Sequence, residues 1–388
     1  MGTAAPFAAT LVAQCRAGFE PEVAADLAAL AARAGATLVV DAPPDRGFVT
    51  AALSGGTPPR LHAALVAAPP VFVRSLFFGT GPHTLFDPAP PGRRRPDRVV
   101  PLAAAIAGLR ERDWPGVARG AAFGELRVEM PDTNEGKALS GLCRGVEMPL
   151  AGALLEADAM AEVDEDATDA ELARHPALHV LFADGATAYV GVSAAPWRSR
   201  WPQGIPRLHM PRGAPSRSTL KLAEAFLTFL GDDAPTLLRP GMKAVDLGAA
   251  PGGWTWQLAE RGLKVTAVDN GPLKGAVADD PLVTHLRVDG LTYVPKRPVD
   301  WLVCDIAEQP AKIAALVARW IAQGDARRAI FNLKLPMKKR HAEVLRCAAL
   351  IDDTLRRARV PATLMLKQLY HDREEVTGYL ATPGSGRI

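Results

Sequence analysis

Paired cysteines are missing from this sequence. Its 388 residues include 4 cysteines, and no two of them stand in a CxxC or Cys/His spacing. Closely spaced cysteines mark zinc sites, and chains dense in cysteine mark disulfide frameworks. We therefore predict no metal site and no disulfide, and instead four buried free thiols, at Cys15, Cys143, Cys304 and Cys347.

Long apolar runs are also missing. No stretch reaches the roughly 20 apolar residues that span a bilayer, and the start MGTAAPFAAT lacks the basic segment and cleavage pattern of a signal peptide. Apolar residues make up 48% of the chain and charged residues 22%, which is typical of a soluble globular protein. We expect a cytoplasmic protein without a membrane partner and, at this length, two or three domains.

A dinucleotide fingerprint is the third absence. In place of a GxGxxG, residues 244–270 read AVDLGAAPGGWTWQLAERGLKVTAVDN, which predicts a strand, a small-residue turn, a helix and a strand ending at Asp269. This order builds nucleoside pockets in α/β folds, and the carboxylate suits a ribose diol. Pro251 lacks an N–H that a pyrophosphate would need, so the turn favours a ligand without phosphate, such as S-adenosylmethionine. A tight turn that binds nothing is the structural alternative.

Strands and helices alternate through the C-terminal part. We predict strands at 244–247, 265–268, 285–288, 301–304, 329–333, 363–368 and 375–381, and helices near 216–229, 255–261, 312–323 and 341–358. The alternation predicts an α/β Rossmann-like, mostly parallel sheet. The last two strands are so close in sequence that they must form an antiparallel hairpin, the ending typical of methyltransferases rather than of nicotinamide enzymes. Aspartates fall at four strand ends, which border the ligand crevice in such sheets: Asp246, Asp269, Asp289 and Asp305.

The first half of the chain predicts two smaller α/β units. Residues 1–80 show the β-α-β-β-α-β order of a ferredoxin-like unit, with its last strand at 71–78. Residues 81–193 form the second unit, whose hairpin turns at Asp184-Gly185. Between the two, the proline- and arginine-rich stretch 79–101 predicts a linker or exposed loop.

Two further segments of this half are polar or irregular. The turn PDTNEGK at 131–137 precedes a helix predicted at 137–155, and it either contacts RNA or caps that helix. Residues 194–215 contain five prolines and form a basic linker to the Rossmann-like domain, 216–388.

Basic residues concentrate in three patches although the net charge is only +3. The patches are Arg93, Arg94, Arg95 and Arg98; Arg198, Arg200, Arg207, Arg212 and Arg217; and Lys334, Lys338, Lys339 and Arg340. Together they favour a polyanionic partner such as RNA. Taken singly, each patch is equally well explained as solvated arginine or lysine.

Lys334 stands at the predicted carboxyl end of a strand, in the run FNLKLPMKK. A lysine in such an apolar run is a costly placement for a purely structural residue. Desolvation and a second cation, Lys221, would lower its pKa and let a neutral amine act as a base. Asp305 and Glu375 are candidates to orient the pair. Surface salt bridges are the bland alternative for each residue alone.

The motifs SRSTLKL, DLGAAPGGW, LVCDIAE, FNLKLP and DREEV resemble those of the RrmJ/FtsJ-like family of RNA ribose 2′-O-methyltransferases. The resemblance implies a catalytic Lys-Asp-Lys-Glu tetrad at Lys221, Asp305, Lys334 and Glu375, with Glu374 as a less favoured alternative to the last. It also implies S-adenosylmethionine as cofactor and no metal. The implied cofactor-binding residues are Ser216, Gly248, Ala250, Pro251, Gly252, Gly253, Trp254, Asp269, Asp289 and Asp305.

The resemblance extends beyond that domain. CRAGFE, VEMPDTNEGK, GIPRL, APSRSTLKL, VDNGPL and QLYHDREEVT are similar to segments of the bacterial 23S rRNA 2′-O-ribose methyltransferase M group. That likeness implies a THUMP-type RNA-binding domain at 81–193 after the ferredoxin-like unit. It also implies methylation of a cytidine in the peptidyl-transferase region of 23S rRNA. The stretch 79–101 has no clear counterpart in the group.

Two other functions remain open at this point. A nicotinamide-dependent oxidoreductase uses the same kind of sheet, but it would need the missing GxGxxG. A non-catalytic RNA-binding or ribosome assembly factor that retains the pocket is the more serious rival. The filled Lys-Asp-Lys-Glu positions argue against it.

Overall fold

The computed structural model describes residues 9–86, 96–161 and 174–383. The chain forms two compact units, Met1–Ile205 and Pro206–Ile388. Arg93, Arg94 and Arg95 of the first basic patch lie outside the described residues.

The N-terminal unit contains one mixed sheet with helices. Its elements are β1 (Thr10–Gln14), α1 (Glu20–Ala34), β2 (Thr37–Asp41), β3 (Phe48–Gly55), α2 (Pro58–Ala67), β4 (Ser75–Thr84), α3 (Val99–Arg110), β5 (Glu125–Glu129), α4 (Asn134–Lys137), α5 (Ser140–Glu156), β6 (Ala177–Phe182) and β7 (Thr187–Ser193). The strand order is β2-β3-β1-β4-β7-β6-β5. All neighbours are antiparallel except β5 and β6. Strands from both predicted small units therefore share one sheet.

Strand β4 corrects the predicted loop at 79–101. It continues to Thr84, and its pairing with β7 includes Gly79 opposite Gly191. The two backbones approach so closely that a Cβ on Gly79 would lie 1.9 Å from the carbonyl oxygen of Val190. Glycine is therefore needed at this position, where β4 pairs with β7. In the sequence, the same glycine was interpreted as the start of a loop. The helix α3 also begins inside this stretch, where the Asp97 carboxylate accepts a hydrogen bond from Val99 N at 2.8 Å.

The C-terminal unit has the predicted α/β order. Its elements are α6 (Thr219–Phe229), α7 (Ala234–Leu237), β8 (Lys243–Leu247), α8 (Gly253–Ala259), β9 (Lys264–Val268), β10 (Val283–Leu286), β11 (Val299–Cys304), α9 (Pro310–Ala322), β12 (Ala326–Lys334), α10 (Arg340–Ala358), β13 (Thr363–Lys367) and β14 (Glu375–Ala381). The strand order is β10-β9-β8-β11-β12-β14-β13. β14 runs antiparallel to both β12 and β13, and the other neighbours are parallel. The predicted Rossmann-like sheet with a terminal hairpin is confirmed.

Several element boundaries differ from the prediction by a few residues. The helix predicted from residue 216 begins at Thr219, because residues 216–218 form a turn in which Thr219 N donates to the Ser216 carbonyl. The strand predicted at 285–288 is Val283–Leu286, the span that pairs in register with β9. The helix predicted at 137–155 is divided into α4 and α5.

Apolar side chains pack on both faces of the C-terminal sheet. One cluster joins Trp320 of α9 and Ile351 of α10 to Phe331 of β12, and the other joins Phe226 of α6 and Trp254 of α8 to strands of the same sheet. All four cysteines are free and buried, as predicted.

No helix in the described part of the chain combines the length and apolar character that crossing a membrane requires. Nor do the described residues contain a group of three or more His, Cys, Asp or Glu side chains that could hold a metal ion.

Candidate active site at the carboxyl ends of the strands

The turn after β8 allows close packing that side chains would prevent. Gly248 has a φ of 79°, and a Cβ there would lie 2.9 Å from Ile306 Cγ1. A Cβ on Gly253, the first residue of α8, would lie 2.3 Å from Ser218 Oγ and 2.6 Å from Ser216 Oγ. The glycines therefore bring the turn against the segment before α6 and the segment after β11.

The N–H groups of this turn are already used within the protein. Gly248 N and Ala249 N donate to the Val268 carbonyl at 3.0 and 3.3 Å, and Gly252 N donates to the Ala249 carbonyl at 2.6 Å. Ala250 N donates to Asp269 Oδ2 at 3.0 Å. Because Pro251 has no N–H, the residues 248–252 offer no free donor to a pyrophosphate. This geometry argues against the nicotinamide alternative.

Asp269 follows β9 and connects two loops of the site. Its Oδ2 accepts from Ala250 N at 3.0 Å, and its Oδ1 accepts from Gly271 N at 2.7 Å. A carboxylate has about four acceptor positions. Asp269 can therefore hold the turn and still accept hydrogen bonds from a ribose diol.

The other predicted cofactor residues differ in their exposure. Trp254 is 3% exposed, packs in the core and donates its indole N–H to the Ser218 carbonyl at 3.0 Å. Its side chain thus positions the segment before α6, and only its backbone is left to meet a ligand. Asp289 is exposed and its Oδ1 accepts from Leu291 N at 2.9 Å, forming a turn beyond β10. The adjacent Gly290 packs against Ile306 and Gly248, which places this turn beside the first one.

The four residues of the predicted tetrad meet in one ion-pair cluster. Lys334, the last residue of β12, is the direct cross-strand partner of Glu375, the first residue of β14. Glu375 Oε1 pairs with Lys221 Nζ, and its Oε2 pairs with Lys334 Nζ. Asp305 Oδ1 lies 2.5 Å from Lys334 Nζ, and its Oδ2 lies 4.0 Å from Lys221 Nζ. Two carboxylates thus alternate with two ammonium groups.

Glu374 points elsewhere. Its carboxylate pairs with Arg340 Nη2 at 2.7 Å and its side chain is 57% exposed. Neighbouring residues of a strand face opposite sides of the sheet, so only one of the two glutamates can face the lysines. That residue is Glu375.

The charges of this cluster correct one prediction. Burial acts to lower the pKa of Lys334, but Asp305 and Glu375 outweigh it and raise the pKa above its usual value. The expectation that desolvation and Lys221 lower the pKa of Lys334 below its usual value is therefore wrong. Conversely, burial acts to raise the pKa of Glu375, but Lys334 and Lys221 lower it below its usual value. The cluster therefore keeps Lys334 protonated and Glu375 ionised.

A buried acid lies under the β8 turn. Asp246 is fully buried, and its Oδ2 accepts from Thr255 Oγ1 at 2.7 Å. Burial, opposed by that hydrogen bond, raises the pKa of Asp246 to about 7. Sequence reasoning noted Asp246 only as one of four strand-end aspartates.

Sequence reasoning missed a polar group behind the tetrad. Asn332, Thr377 and Asp372 are all fully buried, and they connect by hydrogen bonds to Asp305. A sequence signal was available, because Asn332 lies two residues before Lys334 and Thr377 two residues after Glu375. The period of two along a strand puts such residues on the same face.

The basic patches divide into structural and exposed residues. Arg198 pairs with Glu125 at 2.5 Å and donates to the His175 carbonyl at 2.7 Å, so it braces the N-terminal unit. Arg98 likewise donates to the Gly185 carbonyl at 2.8 Å. The exposed members in the described residues include Arg212, Arg217, Lys338 and Lys339.

The polar turn at 131–137 behaves as a helix start. Thr133 Oγ1 accepts from Gly136 N at 2.9 Å and caps α4, and Asp132 pairs with Arg74 at 3.1 Å. These contacts bear out the capping interpretation for Thr133.

Two family models match the chain. Residues 97–194 match "Ribosomal RNA large subunit methyltransferase M, N-terminal", and residues 214–351 match "FtsJ-like methyltransferase". Among relatives, ribosomal RNA large subunit methyltransferase M of Aromatoleum aromaticum is 48% identical over 375 residues, covering 96% of this chain and 95% of its own length. The protein of the same name from Azoarcus sp. is 46% identical over 374 residues, covering 95% of each chain.

Solved structures show a much looser likeness. Fibrillarin from Aeropyrum pernix, in complex with S-adenosyl-L-methionine, is 18% identical, with a TM-score of 0.33 over 52% of this chain and 81% of that chain. A likeness this loose adds nothing to the assignment.

Proposed function

The chain belongs to the ribosomal RNA large subunit methyltransferase M family, and on that basis we propose that it methylates the 2′-hydroxyl of a cytidine in the peptidyl-transferase region of 23S rRNA. The observation that carries the proposal is the cluster of Lys221, Asp305, Lys334 and Glu375 beside the β8 turn. A 2′-hydroxyl is a poor nucleophile until its proton is removed, and this cluster supplies a base and the groups that align it.

The methyl donor is S-adenosylmethionine, which brings a methyl group activated by a positively charged sulfur. The residues that hold it are the turn 248–253, Ser216, Asp269 and Asp289, with Asp305 beside them. The turn suits this ligand because the N–H groups of residues 248–250 and 252 are internally bonded and S-adenosylmethionine carries no phosphate. Asp269 retains acceptor capacity for the ribose hydroxyls.

Lys334 is the general base in this proposal. Its Nζ accepts the 2′-hydroxyl proton, while Lys221 and Asp305 hold the hydroxyl and the base in line and Glu375 orients Lys221. Since two carboxylates raise the pKa of Lys334, the amine must give up its own proton before it can act. The 2′-hydroxyl also explains a preference for RNA, because deoxyribose has no nucleophile at that position.

The N-terminal unit binds the rRNA through its shape and its phosphates. We assign this unit a ferredoxin-like part at 1–80 and a THUMP-type part at 81–193. The linker 194–215 joins it to the catalytic domain, 216–388. In the C-terminal unit, the exposed Arg212 and Arg217 offer further positive charge to RNA phosphates. An rRNA substrate places the protein in the cytoplasm.

The test uses the full chain, unmodified 23S rRNA and S-adenosylmethionine labelled in its methyl group. We expect a ribose 2′-O-methyl group at one cytidine, and none when that cytidine is replaced by 2′-deoxycytidine. Lys334→Met should lower the rate by about a thousandfold, in the range for loss of a general base. Lys264→Met is the matched control, since Lys264 is exposed at the opposite end of β9.

Two outcomes would overturn parts of the proposal. Near-normal turnover by Lys334→Met, with thermal stability and cofactor affinity intact, rejects the base assignment. If the wild-type protein binds the rRNA but transfers no methyl group, the result supports the alternative of a non-catalytic assembly factor.

A further inference from the structure

Strands β12 and β14 present two cross-strand pairs on the same face of the sheet. Lys334 is opposite Glu375, and Asn332 is opposite Thr377, two residues further along each strand. Because side chains of a strand alternate between faces, both pairs project to the same side. Asn332 and Thr377 are fully buried, whereas the Lys334 side chain is 31% exposed. Asn332 and Thr377 therefore form a buried pair beneath the ion-pair cluster.

Hydrogen bonds connect this buried pair to Asp305. Asn332 Nδ2 donates to Asp305 Oδ1 at 3.0 Å, the same oxygen that receives Lys334 Nζ at 2.5 Å. On the other side of the amide, Thr377 Oγ1 lies 2.8 Å from Asn332 Oδ1. Asp372 Oδ2 lies 2.9 Å from the same hydroxyl.

The number of protons determines the direction of these bonds. A threonine hydroxyl carries one hydrogen, but Thr377 Oγ1 contacts two oxygens, Asn332 Oδ1 and Asp372 Oδ2. Asn332 must keep its NH₂ toward Asp305, since a flipped amide would set an oxygen against that carboxylate. The threonine therefore donates to Asn332, and a protonated Asp372 donates to the threonine from Oδ2, which also accepts a hydrogen bond from Leu369 N at 3.0 Å.

The environment of Asp372 supports the protonated form. Burial and the charge of Glu375 raise the pKa of Asp372 well above its usual value, although the hydrogen bond from Leu369 N and the charge of Lys221 act in the opposite sense. A neutral acid at this position matches the donor that the proton count requires.

We propose that Asn332 is a positioning residue for the methyl transfer, oriented by Thr377 and a neutral Asp372 so that its amide fixes Asp305 against Lys334. The proposal rests on the function proposed above. In the described part of the chain, the other side-chain partners of Asp305 are Lys334 and Lys221, and its bond to Lys334 weakens when Lys334 loses its proton. The neutral amide donor keeps the carboxylate in place at that moment and partly compensates its charge, which eases deprotonation of Lys334.

The experiment compares Asn332→Ala, Thr377→Val and Thr377→Ser in the full chain, with single-turnover methyl transfer to 23S rRNA measured across pH. We expect Asn332→Ala to lower kcat by about 30- to 100-fold, since small misplacements of a reacting group cost rates of this order. The KM for rRNA and the affinity for S-adenosylmethionine should stay within about threefold. The pH profile should move to higher pH, because Asp305 without its amide partner holds the Lys334 proton more strongly.

The threonine variants separate hydrogen bonding from packing. Thr377→Val keeps the shape but loses the hydroxyl, and should lower kcat by about tenfold. Thr377→Ser restores the hydroxyl, so it should recover wild-type kcat to within about twofold.

The possible failures are distinguishable. A wild-type protein that makes no ribose methyl group overturns the proposed function itself. An active wild type whose kcat and pH profile are unchanged in Asn332→Ala overturns the positioning role alone. Thermal denaturation shows whether Asn332→Ala is folded at the assay temperature. If it is unfolded, the rates of Thr377→Val and Thr377→Ser test the positioning role instead. Equal rates in those two variants reject the proposal.

Discussion

Each unit of this protein contains a cluster of hydrogen-bonded ionisable side chains, and the two clusters differ in their access to solvent. In the N-terminal unit, His179 Nε2 lies 2.7 Å from Ser193 Oγ, and His179 Nδ1 lies 3.1 Å from Glu129 Oε2. This is the order of hydroxyl, imidazole and carboxylate found in serine hydrolases. Yet the three residues are between 0% and 3% exposed. The tetrad side chains are 7% to 31% exposed.

The cluster of Ser193, His179 and Glu129, called the sealed cluster, stabilises the sheet of the N-terminal unit. Glu129 also accepts from Gln14 Nε2 at 2.8 Å and Gln203 N at 2.5 Å, and the ring of His179 stacks on Phe77 with centroids 4.8 Å apart. Burial acts to raise the pKa of Glu129, but His179 and the other donors lower it below its usual value. A buried carboxylate with this many donors is stable as an ion, but no substrate can reach it. Chemically suitable residues therefore form a site only where a crevice admits the reacting group.

After the loss of Lys334 itself, the largest effect expected of a substitution distinguishes two adjacent glutamates at the tetrad cluster. Glu375→Gln removes the carboxylate that bridges Lys221 and Lys334, and should lower methyl transfer by about a hundredfold because both amines lose their alignment. Glu374→Gln is the matched control, with an expected change below about twofold, since its partner is the partly exposed Arg340. Equal losses in the two variants would contradict the geometry, and steady-state kinetics on rRNA measures both.

The next effect is the pH dependence of the reaction. Since Asp305 and Glu375 raise the pKa of Lys334, the reactive neutral amine is a minor form at neutral pH and increases as pH rises. We expect kcat/KM to rise about tenfold per pH unit between about pH 6 and about pH 9, without a plateau. In Glu375→Gln a raising partner is lost, so the profile should move to lower pH although its maximum falls. A flat wild-type profile would exclude Lys334 as a base that must first lose a proton.

The smallest effect on methyl transfer is expected from the sealed cluster. Ser193→Ala leaves the buried His179 without its hydroxyl partner and should cost about 1–3 kcal/mol of unfolding free energy. Affinity for S-adenosylmethionine and single-turnover rate should not change. Ser54→Ala, at an exposed strand position, is the control and should change stability by less than about 0.5 kcal/mol. A native-like Ser193→Ala protein without activity would reveal a role for this cluster beyond bracing.

Much of the fold was predictable because its signals are local. Short apolar runs that alternate with helices marked the strands from β8 to β12, and the short connection at 369–374 required the antiparallel ending. The failures also had local causes, as at Gly79, where a residue that allows close strand packing was interpreted as a loop. The Arg198 side chain was similarly taken as part of an RNA surface, although it braces Glu125.

The sequence by itself determined the residue types of the site and their order, because each lies at the end of a strand or helix whose periodicity is written in nearby residues. Only the tertiary structure decided the charge of Lys334 and the buried connection from Asp372 through Thr377 and Asn332 to Asp305, and its geometry agrees with the earlier preference for Glu375 over Glu374. These properties depend on the register between β12 and β14, which are far apart in sequence. A one-residue slip of β14 would turn Glu375 and Thr377 to the opposite face of the sheet. Protonation, orientation and access are set by such long-range packing, which no local pattern encodes.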